Sequence, residues 1–214
     1  MARPRNQTQR RQDLIAATID TVGRKGLRAL SMTDVAEQAG LTRGAVLYYY
    51  EDLESLLVEA HRAGIERLGE RRDTLVRGVD SSAEQLAVAI RTGLPDGPED
   101  ALMRLLYEFD VLAGTSQVHD ELVEALYRRQ LATYTSILQR GAASGDFAPR
   151  TSIETLAMNL VALEDAYGLH IVAGNSLITV EMAEKAMREA AAGLGAPPGA
   201  VPSGTTAAPS GDTP

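Results

Sequence analysis

The 214-residue chain has no cysteine and no tryptophan, and its aromatic residues are seven Tyr and two Phe. Without cysteine it can hold neither a disulfide framework nor a thiolate metal site, and a cysteine nucleophile is unavailable to it. Such a chain suits a reducing cytoplasm. Long apolar runs are also missing: nothing approaches the roughly 18 uninterrupted apolar residues of a membrane span. The opening stretch MARPRNQTQRRQDL carries charge without the apolar run of a signal peptide behind it. Histidines are few, and His61, His119 and His170 stand far apart. The patterns H-E-x-x-H and G-x-S-x-G and the glycine-rich phosphate loop do not occur. The sequence therefore offers no enzyme, no metal centre and no cofactor.

Charge is present but unevenly placed. The net charge is -8, which on its own argues against a polyanion partner. Yet residues 1–50 hold eight Lys and Arg (Arg3, Arg5, Arg10, Arg11, Arg24, Lys25, Arg28, Arg43) against Asp13, Asp20, Asp34 and Glu37, a balance of +4. The remaining residues carry -12. A basic head on an acidic body fits a chain whose head meets phosphate while its body stays off the duplex. An architectural DNA-binding protein would instead be basic over most of its surface.

Apolar residues recur at three- and four-residue spacing and no period-two stretch competes, so the chain reads as all-α. Ala, Leu, Glu and Arg dominate it, which favours helix throughout. The pattern predicts helices over 9–24, 33–39, 43–49, 53–78, 83–93, 99–114, 118–143, 152–173 and 180–193. Pro95, Gly97 and Pro98 make the clearest break in the body. The domain reading is a basic arm at 1–8, a DNA-binding head at 9–55, a helical body at 56–194, and a tail at 195–214. That tail, GAPPGAVPSGTTAAPSGDTP, has almost nothing to bury and reads as disordered.

The informative stretch is SMTDVAEQAGLTRGAVLYYYEDLESLL, residues 31–57. Ser31 can cap a helix, with Asp34 three residues on completing a capping box. Gly40 supplies a turn position, and Thr42 can cap the next helix at once. Two short helices about a glycine turn form a helix-turn-helix, whose second helix presents its first residues to the major groove. Arg43 is the residue suited to a bidentate contact with a guanine edge, and Thr42 and Ala45 to a phosphate or a thymine methyl. Gly44 permits close approach. Tyr48 and Tyr49 offer hydroxyls to phosphate oxygens, as does Thr33 at the other helix start, while Tyr50 reads as core.

These residues resemble the N-terminal domain of the TetR family of repressors. Over residues 9–57 the match runs through Gly26 and Leu27, then Thr33, Val35, Ala36, Ala39, Gly40, Leu41, Thr42, Gly44, Val46 and the three tyrosines 48–50. Leu47 and Leu53 depart from it, standing where the family often has a tyrosine and a phosphate-touching lysine. The arginines of the arm could compensate. The resemblance implies a homodimer through the last two helices, palindromic operator DNA as partner, and a small-molecule effector. It also implies a mechanism in which the effector shifts the fourth helix and changes the spacing of the two reading heads. A TetR-like activator, or a regulator answering to a protein partner, fits the same residues.

Beyond residue 80 the resemblance thins. The helix over 152–173 is apolar nearly all round, so it must be covered on several sides. Glu164 and Asp165 are out of place in it, because a buried carboxylate needs a partner. In one reading either acid, with Tyr107, Asp110, Tyr134 and Tyr167, lines a pocket for a cationic or polar ligand. In the other, each acid caps a neighbour or pairs with an arginine such as Arg128 or Arg129. Phe109 and Tyr127 read as core.

Overall fold

The three-to-four-residue apolar spacing is realised as helix throughout: in the computed structural model, the residues described (3–110, 114 and 116–200) hold nine α-helices and no strand. They are α1 Arg3–Lys25, α2 Met32–Gln38, α3 Arg43–Leu47, α4 Leu53–Arg77, α5 Ser82–Gly93, α6 Ala101–Asp110, α7 Gln117–Ser144, α8 Ile153–Val172 and α9 Val180–Gly193. A single 3-10 turn, Leu27–Ala29, joins α1 to α2. None of the described helices is long and apolar enough to cross a membrane.

The chain folds as two compact units. The first takes residues 1–69, 95–129 and 166–180, and the second takes 70–94, 130–165 and 181–214. In the first unit Leu14, Val22, Val35, Val46, Leu56 and Ala60 are buried together with Leu105 and Phe109 of α6. An adjoining cluster joins Ile65 and Leu68 of α4 to Leu106 and Tyr107 of α6 and to Leu122 and Leu126 of α7. The core of the second unit contains Leu86 and Ile90 of α5, Tyr134, Ile137 and Leu138 of α7, Leu156 and Leu160 of α8, and Met187 of α9.

Three local expectations are corrected. The helix expected from residue 9 begins at Arg3, so most of the arm is a continuation of α1. Once a helix is nucleated further along, Arg and Gln extend it at little cost. At the other end, the tail is not free from Gly195. That glycine, at φ +90°, turns the chain back, its carbonyl accepts the Ala148 N–H, and Ala196 is fully buried. Residues 201–214 lie outside the described part, as do 111–113 of the helix expected to reach 114. Tyr127, read as core, is exposed, because Leu122 and Leu126 take the buried side of α7 and the residue after Leu126 points away.

Candidate nucleic-acid interface and the buried polar groups of the body

Ser31 caps α2 in a reciprocal capping box, its hydroxyl taking the Asp34 N–H while the Asp34 carboxylate takes the Ser31 N–H. Lys25 forms an ion pair with Asp34. Lys25 and then Ser31 hold the Asp34 carboxyl down at about 2, so this box stays charged across the working range of pH. The helix ends in a Schellman turn. Leu41 N–H donates to Ala36 O at 2.8 Å and Gly40 N–H to Glu37 O at 3.1 Å, satisfying carbonyls the helix leaves open. This closure requires φ +64° at Gly40. Thr42 then caps α3 by accepting the Ala45 N–H at 3.2 Å.

A Cβ at Gly40 would meet no atom within 4 Å, so the requirement is conformational rather than steric. Alanine there should cost about 1–2 kcal/mol from the left-handed backbone alone, read as a lower denaturant midpoint. Alanine at Gly44, which also has open space but lies inside α3, should escape that loss. Equal destabilisation at the two sites would refute the assignment of the turn.

The face that the sequence assigns to DNA is exposed for the most part. Thr33, Thr42, Arg43 and Gly44 are exposed, Ala45 and Tyr49 are half-buried, and Tyr48 is 71% exposed. Tyr48 and Tyr49 meet edge to face, with ring centroids 5.1 Å apart. Gln7 Nε2 approaches the Tyr48 hydroxyl at 3.4 Å, bringing the N-terminal part of α1 to the end of α3. Tyr50 is buried, with the Arg11 guanidinium 4.6 Å over its ring. The tyrosines thus divide, with Tyr50 taking the core and Tyr48 projecting outward.

The body residues singled out from sequence fall into separate groups. Glu164 in α8 is fully buried and accepts two hydrogen bonds from the Arg72 guanidinium, at 3.0 and 2.7 Å. The Tyr134 hydroxyl donates to it at 2.6 Å and Gln130 at 3.0 Å. Gln130 also donates to Asp165 at 3.0 Å. The arginine partner of Glu164 is thus Arg72, not Arg128, which pairs with Glu124, nor Arg129, whose guanidinium packs over Gly69. Burial, with the charge of Glu164 next, raises the Tyr134 hydroxyl well above its ordinary value, so it acts as a donor. Burial also pushes Asp165 up to about 6. Tyr107, Asp110 and Tyr167 belong to the first unit. Tyr107 is buried with its hydroxyl against α8, where a Cβ on Gly168 would lie 1.8 Å from it.

Sequence reasoning missed Arg72, Gln130, Arg104 and Glu108. A signal existed for Arg72: it lies four residues beyond Leu68, on the stripe that faces inward. Among the described residues no cluster of three or more His, Asp or Glu is placed to hold a metal.

The family model for bacterial regulatory proteins of the tetR family matches residues 14–60, and that for a tetracyclin repressor-like C-terminal domain matches 92–175. The HTH-type transcriptional regulator YfiR of Bacillus subtilis is 25% identical over 169 residues, covering 75% of this chain and 78% of its own. The HTH-type transcriptional repressor KstR2 of Mycolicibacterium smegmatis is 21% identical over 151 residues, 71% of this chain and 74% of its own. A transcriptional regulator from Saccharomonospora viridis, solved in complex with choline, superimposes with a TM-score of 0.80 at 18% identity, covering 86% of this chain and 96% of that one.

Proposed function

This chain belongs to the TetR family and is a DNA-binding transcriptional regulator, not an enzyme; from that premise we propose that it is a cytoplasmic, homodimeric repressor released from a palindromic operator by a small-molecule effector. The observation that carries the reading is the capped helix-turn-helix, with Arg43 and Tyr48 exposed at the two ends of α3. Arg43 reads a base edge, Thr42 and the Ala45 methyl meet a phosphate or a thymine methyl, and Thr33, Tyr48 and Tyr49 hold phosphate, with Gly44 letting the helix close on the groove.

Dimerisation is supported by apolar side chains left at the surface of the last two helices, among them Met158 of α8 and Met182 of α9, each about half exposed. For the effector, Glu164 already has its charge matched by Arg72. Asp165 is therefore the carboxylate we assign to a cationic or polar ligand, with Tyr134 beside the same network in the second unit. The choline-bound relative is compatible with that class.

The test is selection of duplexes from a random library by the purified protein at moderate salt. Enrichment of a palindrome is expected. Arg43→Ala should lose discrimination at one base position, worth roughly 1–3 kcal/mol. Tyr48→Phe should weaken all sequences alike. Failure of the wild type to enrich any sequence would overturn the reading.

A further inference from the structure

The backbone that leads from α1 into α2 is held by side chains of α6. Glu108 accepts the Leu27 N–H with one carboxylate oxygen, while its other oxygen takes Arg104 Nε at 2.7 Å. Arg104 in turn donates from Nη1 to the Gly23 carbonyl at 2.9 Å. These contacts bracket Gly26, at φ +78°, so the carbonyl before the bend and the N–H after it are both tied to one ion pair. The seat is tight. A Cβ on Gly23 would lie 2.4 Å from the Ala101 Cβ, and one on Gly26 would press on both Arg104 and Glu108 at 3.2–3.4 Å. The polarity is also right, because the guanidinium meets an unpaired carbonyl at the negative end of α1.

The next residue along α6 faces elsewhere. Phe109 is fully buried and stacks on His61 of α4 at 4.2 Å and on His119 of α7 at 4.5 Å between ring centroids. Adjacent residues of one ten-residue helix thus grip the α1–α2 junction and the α4–α7 packing. A shift of α6 at Phe109 cannot leave Glu108 where it is.

We propose that Arg104 and Glu108 are positioning residues for operator binding, which fix the orientation of the helix-turn-helix from α6 without touching DNA. The proposal rests on the DNA-binding reading above. Two reading heads engage one duplex only when their separation and tilt match the half-sites. Loosening the clamp should therefore act on the geometry of recognition more than on phosphate attraction.

The experiment uses the full chain and the palindrome selected as described above. Fluorescence anisotropy is measured on that duplex, on duplexes with one base pair added or removed between the half-sites, and on a scrambled duplex. Glu108→Leu should weaken operator binding about tenfold and flatten the preference for half-site spacing. Affinity for scrambled DNA should stay within about twofold. Glu108→Gln retains an oxygen for Leu27 N–H but loses the ion pair, and should fall between the Glu108→Leu variant and wild type; Arg104→Met should resemble it. If the Leu substitution prevents folding, the Gln and Met variants decide alone. Wild-type spacing preference in the folded variants overturns the clamp. So does an equal loss on operator and scrambled duplex, which is what mere destabilisation gives. Absence of any selected sequence for the wild type sinks the DNA-binding reading itself, and the clamp with it.

Discussion

Arg72→Met is expected to destabilise the protein by roughly 3–5 kcal/mol, the range for removing one partner of a buried ion pair, measured as a fall in the urea midpoint at pH 7. The side chains of Arg72 and Glu164 are 4% and 1% exposed, so neither charge has water to fall back on. Burial alone would lower the guanidinium pKa, but Glu164 and then Tyr134 more than offset it, leaving the pKa above its ordinary value. Removing the guanidinium leaves Glu164 to the neutral donors Tyr134 and Gln130. The carboxylate packs directly against Gly93, where an added Cβ would stand 2.2 Å from Oε2. Lysine at 72 should recover only part of the loss, since one ammonium cannot reproduce the two parallel hydrogen bonds. The double variant Arg72→Met, Glu164→Gln should recover most of it, because neither charge then remains. A single variant within about 1 kcal/mol of wild type, or a double variant no better than the single, would refute the ion pair as described.

That network marks where the sequence stops being legible. The helices were readable because their ends are written locally: Ser31 with Asp34, Thr42, the glycine at 40, and the Pro95 to Pro98 break each act within a few residues. The exposure of Thr42, Arg43 and Tyr48 is in keeping with the same local rules. Tyr50 could be told from Tyr48 because it lies four residues beyond Val46, and Val46 and Tyr50 are both buried. Pairing across the fold is different. Glu164 and Arg72 are 92 residues apart, and Leu27 and Glu108 are 81 apart. No local rule ranks Arg72 above Arg128 as a partner, because the choice depends on how α4, α7 and α8 are brought together. Composition misleads at 195–196, the start of the tail, for a related reason. Its Gly and Pro content reads as unstructured, yet Gly195 is left-handed, its carbonyl accepts the Ala148 N–H, and Ala196 is buried.

The second large effect is a dependence on pH set by His61. Its ring is fully buried, both ring nitrogens are without a hydrogen-bond partner, and it stacks flat on Phe109. Burial, then the neighbouring His119 and Arg62, lowers its pKa from 6.5 to about 4. His119 approaches from α7 with its Nε2 2.9 Å from the Glu54 carboxylate, and Phe109 of α6 covers the face. Between pH 6.5 and 4 the unfolded chain binds a proton at His61 that the folded chain refuses. Stability from this residue is therefore complete above pH 6.5 and declines as pH falls toward 4. The loss approaches about 3 kcal/mol at the lower limit, from about 1.36 kcal/mol for each pH unit of the shift. His61→Leu, of similar size and without nitrogens to satisfy, removes that decline. At neutral pH it should also gain on the order of 1 kcal/mol, since unpaired buried polar atoms are costly. The measurement is urea unfolding of both proteins at half-unit steps from about pH 7.5 to about pH 4, reported as the difference in unfolding free energy. Other titrating groups, Asp165 among them, are common to both chains and cancel to first order. A difference that does not widen as pH falls through this window would mean that His61 takes up its proton in the folded protein, and that its ring is not sealed from water.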